Sequence, residues 1–324
     1  MRFTKSFLGV AAVVLTLNSP LAAEAGQLHV FTSGDAGFNT HSVWYDDGKE
    51  VTVVDTQFTL EVAQQLVDDI QKQTKSPITR IIITHPNPDK FNALSVFHKL
   101  GAESIASAKT AAAIPGVDAY KRYFWVEIAH AFTNETYPKV EPVKTTFSGQ
   151  KVIKLKSGET ITLIELKEPG VSNNQVVVRI DTTGDLIVGD LVAYKAHAWL
   201  EGGIVDTSIL DGRTQPNIAG WKADLQQLLT LGKGKVYGGR GEFGLVTEVV
   251  PVQIAYLDKA DQIVTNYVKK LGNNALAELT DPVKSQAHFQ EIQAELVKAF
   301  PNYALPDLIS YGVYGLAFSK ISSK

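Results

Sequence analysis

The chain has 324 residues, 44% hydrophobic and 20% charged, a composition ordinary for a water-soluble globular protein. Its length suffices for one large domain with an extension, or for two domains, with a sizeable buried core. A formal net charge of −3 without a long basic run argues against nucleic acid as a partner. The lack of cysteine excludes disulfides, thiolate metal sites and cysteine nucleophiles.

Residues 1–25 have the layout of a cleavable secretory signal. Arg2 and Lys5 make a positive start, residues 7–17 an apolar run too short to anchor a chain in a bilayer, and residues 23–25 a small-residue cleavage site. Export to a bacterial periplasm is expected, with no stable membrane anchor. Strand signals follow at residues 28–32 and 41–56, the second holding Asp46-Asp47-Gly48 as a hairpin turn. Val62, Leu66, Val67 and Ile70 then share one helical face. "ITRIIIT", residues 78–84, is a β-branched run suited to a strand buried on both faces.

A helix over 91–100, a short strand over 104–106 and a helix from Lys109 are predicted next. After an irregular stretch at 123–137, strands resume in "KVIKLKSG", "TITLIELKEPG" and "NQVVVRIDTTGDLIVGDLV". Alternation makes the locally basic residues 151–159 a solvated strand face. A helix in "AGWKADLQQLLTLG" and a strand in "KVYGG" follow, and from Val252 onward the pattern is helical. Two halves that each mix strands and helices predict a mixed α/β fold, a sheet sandwich covered by helices on both sides. The division expected is a signal at 1–25, a main domain at 26–252 and a helical extension at 253–324, suited to capping or oligomerisation.

Chemistry concentrates in "IIITHPNPDKFNA", residues 81–93. A strand ends in Thr84-His85, and Asp89 stands four residues beyond the His. The order of signals around it resembles the metallo-β-lactamase superfamily, whose fold is an αββα sandwich. "THPNPDK" overlays on the family's Thr-His-x-His-x-Asp-His motif, and "EVTVVDT" on the strand ending in Asp, here Asp55. "EPGVSNNQVVVRI" resembles the Pro-Gly-His segment with Val171 at the His position. "LIVGDLV" supplies the bridging Asp as Asp190, and "KVYGGRGEFG" puts Arg240 where the last His belongs. The overlay runs from about Leu28 to Gly244.

The resemblance implies two metal sets, which here read His85, Asn87 and Val171, then Asp89, Lys90 and Arg240. Only His85, Asp89 and Asp190 keep metal-ligand chemistry, short of a usual three-ligand zinc site with an open position. A lysine and an arginine beside a cation site oppose a dication, and arginine cannot shed its proton. The expectation is therefore a metal-free polar site, or at most one weakly bound Zn on His85, Asp190 and a neighbour. A dinuclear zinc site is not expected.

Lys90 and Arg240 are expected to occupy the metal's place and balance Asp89 and Asp190. Structural roles stand beside these: Asp89 as the N-cap of the following helix, His85 as a core histidine, Asp190 as a turn residue. His197, a few residues after the Gly-Asp motif, is a candidate general base, and Trp199 a candidate cleft residue. Asp89, Lys90, His197 and Arg240 are the catalytic candidates for an exported hydrolase acting on an ester, lactone or amide-type small molecule. The alternative is a non-catalytic protein holding an anionic ligand or a protein partner at the former metal cleft.

Overall fold

The structure is a computed structural model that describes residues 26–204 and 214–321. The predicted signal, residues 1–25, lies outside the described residues. The first half holds β1 (Gln27–Thr32), β2 (His41–Asp46), β3 (Val51–Val54), α1 (Leu60–Gln73), β4 (Ile78–Ile82), α2 (Pro88–Phe91), α3 (Leu94–Lys99), β5 (Glu103–Ser107), α4 (Ala108–Tyr123) and β6 (Thr145–Phe147). These six strands form one sheet in chain order, β1 to β3 antiparallel and β3 to β6 parallel. The hairpin turn closes as predicted, with Asp46 Oδ1 accepting from the Gly48 amide, and Gly48 takes φ 81.

The second half holds β7 (Gln150–Lys154), β8 (Thr160–Glu165), β9 (Val176–Ile180), β10 (Leu186–Tyr194), the short pair β11 (Gly203–Ile204) and β12 (Thr214–Gln215), α5 (Ile218–Leu231), β13 (Lys235–Gly241) and β14 (Gly244–Leu245). The second sheet runs β14-β13-β10-β9-β8-β7. The chain ends in α6 (Val246–Leu271), α7 (Ala275–Thr280), α8 (Lys284–Ala299) and α9 (Asp307–Ile321).

Burial divides the apolar residues into three layers. Val43, Val54, Ile82, Ile161, Val176 and Ile187 pack between the sheets. Val62's helix α1, with Ala63, Leu66, Val67 and Ile70, covers the outer face of the first sheet beside Phe97 and Ile114. Trp221, Leu225, Tyr256, Ile292 and Val313 cover the second sheet. This is the αββα sandwich that the resemblance implies.

Two details differ from the sequence-based expectation. The single helix predicted over 91–100 is two short helices broken at Asn92-Ala93, because Asn92 turns its amide to the Phe58 carbonyl and the Ala93 amide reaches Thr56 Oγ1. The boundary at 252/253 falls inside α6, and α6 to α9 share one apolar core with the second sheet. The C-terminal helices thus build the outer layer itself. No helix among the described residues is long and apolar enough to cross a membrane.

Candidate functional site

Loops at one end of the two sheets converge on a buried polar cluster. β4 ends just before Thr84 and His85, and Pro88 at the first helical position starts the single turn α2, which carries Asp89 and Lys90. Asn87 occupies the N-cap position, so Asp89 is not the cap; it lies inside the turn. Backbone bonds from the Thr56 and Gln57 amides to the Lys90 and Asp89 carbonyls pin this turn to the loop after β3. Asp190 comes from β10 and Arg240 from the parallel neighbour β13. Gly189 is required beside Asp190: it takes φ 50, and a Cβ there would strike Thr84 Oγ1.

Four charges interlock at this point. Lys90 Nζ lies 2.9 Å from Asp89 Oδ2 and 2.9 Å from Asp190 Oδ1. Arg240 donates from Nη1 to Asp190 Oδ1 at 2.8 Å and from Nη2 to Asp89 Oδ2 at 3.1 Å. Each cation thus touches both carboxylates. Arg240 also donates from Nε to the Phe38 carbonyl at 2.9 Å and from Nη2 to Thr40 Oγ1 at 2.8 Å, and the Thr40 hydroxyl in turn donates a hydrogen bond to Asp89 Oδ2. Asn87 Nδ2 donates to Asp89 Oδ1 at 2.9 Å. Lys90 is 0% exposed and the other three charged residues at most 5%.

Burial pushes the Asp190 carboxyl up, but Arg240 and Lys90 outweigh it and hold the group well below the usual carboxylate range. Asp89 is lowered in the same way, against burial, chiefly by Lys90 and Arg240. Burial lowers Lys90 and Arg240, yet the two aspartates raise both on balance.

Behind the knot, Asp55 accepts from the Thr84 amide and hydroxyl, and Thr84 Oγ1 lies 3.0 Å from His85 Nδ1. Since the hydroxyl donates to Asp55, it accepts from His85 Nδ1–H. His85 Nε2 then faces Asp190 Oδ2 at 3.6 Å, and that oxygen has no hydrogen-bond partner. Burial raises Asp55 to about 6. His41 bonds the Gly238 carbonyl at 3.2 Å, and burial lowers it to about 4.

Two small cavities border the knot. One leaves about 20 Å³ among Phe38, Phe58, Trp125 and Trp199, with Asp89 and Arg240 in its wall. The other leaves about 30 Å³ beside His85, Asp190, Val171 and Ser172. Each holds little more than a water molecule. Asn87, Lys121 and Trp199 line both. Phe38 stacks its edge toward Phe58 at 5.3 Å and meets Trp125 at 5.4 Å, closing the aromatic side.

The structure therefore brings together His85, Asp89, Lys90, Asp190 and Arg240, with Trp199 at the cavities. It places His197 elsewhere. That ring is fully buried between Tyr256 of α6 and Tyr303, with Nδ1 3.2 Å from the Tyr256 hydroxyl, and it lines neither cavity. The expectation of His197 as a cleft base rests on a loop direction that the structure does not have: the His197 amide bonds the Ala304 carbonyl and the Ala304 amide bonds the Lys195 carbonyl, which turns the loop under the C-terminal helices. Thr40, Phe38, Lys121 and Trp125 belong to the site and carry no motif by which sequence alone could find them. Among the described residues, no group of three or more His, Asp or Glu side chains is arranged to hold a metal ion.

Comparison with known proteins agrees with this architecture. The family model for the metallo-beta-lactamase superfamily matches residues 35–240. The metallo-beta-lactamase FIM-1 from Pseudomonas aeruginosa, solved in a mono-zinc form, is 15% identical, with 72% of this chain and 90% of that one covered and a TM-score of 0.50. A metallo-beta-lactamase from Pontibacter korlensis is 17% identical, with 68% and 87% covered and a TM-score of 0.49. With the family model spanning the knot from before Thr40 to Arg240, this chain belongs to the metallo-beta-lactamase superfamily.

Proposed function

We propose that this chain is an exported, zinc-independent member of the superfamily that binds an uncharged small molecule at the cleft. The observation that supports it is the contact of Lys90 and Arg240 with both Asp89 and Asp190 at 2.8–3.1 Å. The family's zinc does not fit this donor set. Two fixed cations already hold the carboxylates, Val171 offers no donor, and the Asn87 amide is engaged with Asp89. A dication added there would face two positive charges at contact distance.

The same pairing argues against an anionic ligand, because neither cation has surplus charge to offer. Lys90 and Arg240 are equally unsuited to stabilise a developing oxyanion, which needs donors aimed at the substrate. What the cleft does present is aromatic: Phe38, Phe58, Trp125 and Trp199. An uncharged ring-bearing molecule suits that wall, and it enters by displacing Trp125 or Trp199, since the space between these rings is only about 20 Å³. Backbone strain fits a retained binding role. Phe38, Asn39, Asp55 and Gln57, all non-glycine with φ between 51 and 89, surround the knot.

One observation favours a second, catalytic reading: a metal-free hydrolase in which His85 and Asp190 activate water. Asp190 Oδ2 is buried, unpartnered and 3.6 Å from His85 Nε2, in the wall of the polar cavity.

Elemental analysis of protein purified without added metal tests the primary proposal, with sub-stoichiometric zinc expected and no melting shift on adding zinc or chelator. Tryptophan fluorescence titrations should then show saturable change with uncharged aromatic compounds and none with matched carboxylates. Stoichiometric zinc surviving dialysis would falsify the zinc-independent assignment. Ester or lactone hydrolysis insensitive to chelator and abolished in His85→Gln would favour the catalytic alternative.

A further inference from the structure

Glu201 lies on the segment after β10, 1% exposed, and α4, α9 and its own segment meet at its carboxylate. Lys121 Nζ reaches it from α4, Trp199 Nε1 donates to Oε2 at 2.7 Å, and the Tyr314 hydroxyl donates to Oε1 from α9. The Tyr120 hydroxyl, 3.3 Å from that of Tyr314, extends the contact. Two of these partners, Lys121 and Trp199, line both cavities at the knot.

The backbone is joined as well. The Leu316 amide bonds the Leu200 carbonyl at 3.1 Å. Gly312 and Gly315 place the face of α9 directly on residues 199–201. A Cβ on Gly312 would touch Leu200 N at 3.1 Å, and one on Gly315 would fall within the radius of the Glu201 carbonyl. The lack of side chains at these two positions is what allows the helix to approach so closely.

From this geometry we infer that Glu201 is a positioning residue that makes α9 part of the cleft, holding Trp199 and Lys121 in its wall. A buried carboxylate with a single cation and two hydrogen-bond donors is satisfied only when all three parts are docked. The C-terminal helix is therefore needed for the shape of a site whose polar knot lies wholly outside it. This inference does not depend on whether the knot binds zinc.

The experiment uses the full chain and its Gly315→Ala variant, in which one methyl wedges α9 off Glu201. The indole of Trp199 is isolated as the difference in acrylamide quenching between each protein and its Trp199→Phe partner. A second core variant, Leu296→Ala in α8, controls for general loosening, and urea unfolding ranks the stabilities. In the natural protein the Trp199 component should be shielded. In Gly315→Ala its quenching should rise toward that of a solvent-exposed indole with a red-shifted emission, while Leu296→Ala leaves it shielded. Tyr314→Phe, which keeps the ring and the fold, should move the component in the same direction by less. The inference is overturned if Gly315→Ala and Tyr314→Phe both leave Trp199 shielded. It is equally overturned if Leu296→Ala exposes Trp199 as much as Gly315→Ala does.

Discussion

Two of the buried charge clusters among the described residues differ in how they are closed. The knot at Asp89, Lys90, Asp190 and Arg240 balances two carboxylates against two cations, and each cation is shared. The hub at Glu201 balances one carboxylate against Lys121 and adds the neutral donors Trp199 and Tyr314. Sharing makes the knot a rigid unit in which loss of any member strands opposite charge in the interior. The hub has neutral donors that tolerate a neutral acceptor. The knot therefore suits permanent structure, whereas the hub suits an adjustable joint between a helix and a cleft wall.

The largest expected effect is at the knot. Lys90→Met leaves two buried carboxylates with one cation and should lower unfolding free energy by about 3–5 kcal/mol in urea titrations, the range for breaking a buried ion pair from one side. Glu201→Gln should cost less, about 1–3 kcal/mol, because the amide oxygen can still accept from Trp199 and the amide NH2 can donate to the Tyr314 hydroxyl, while Lys121 loses its counter-ion. If the order of the two losses is reversed, the contrast between rigid knot and adjustable hub fails.

A pH effect separates the knot from its neighbours. Asp89 and Asp190 are depressed, so their stabilisation is fully present above the ordinary carboxylate range and is lost only as pH falls below it. His197 is lowered by burial from 6.5 to about 4, so the unfolded chain binds its proton first and stability falls as pH drops through that window. Between pH 7 and pH 5 this one histidine should remove about 2 kcal/mol of stability. The natural protein's stability relative to His197→Asn should narrow by that amount, measured by urea unfolding at both pH values. Equal pH slopes in the two proteins would mean that His197 is not held neutral by its burial.

Much of this was legible in residue order. The period-two and period-3.6 patterns marked most strands and helices, and the ordered motifs "THPNPDK", "EPG" and "GD" carried the resemblance to the superfamily whose family model matches this chain. The pairing of Lys90 and Arg240 with the two aspartates followed from charge only once the family overlay had placed them together, and the structure has that geometry. The helix predicted over 91–100 failed because pattern does not report side chains such as Asn92 and Thr56 that take backbone groups out of a helix. His197 failed because a loop's direction depends on what it packs against, here Tyr256 and Tyr303.

By itself the sequence determined the layered α/β fold, through apolar periodicity that chooses which face of each element is buried. It also supplied the lysine and the arginine of the cluster, Lys90 and Arg240, together with its two aspartates. Only the tertiary structure decided that each cation reaches both carboxylates, since the partners are 50 to 151 residues apart apart from the adjacent Asp89–Lys90 pair. It alone decided that α9 reaches Glu201, because that contact depends on two glycines meeting a loop 112 to 114 residues away in the chain. Local pattern records what a residue can do; only packing brings such distant residues within the few ångströms at which charge and hydrogen bonding act.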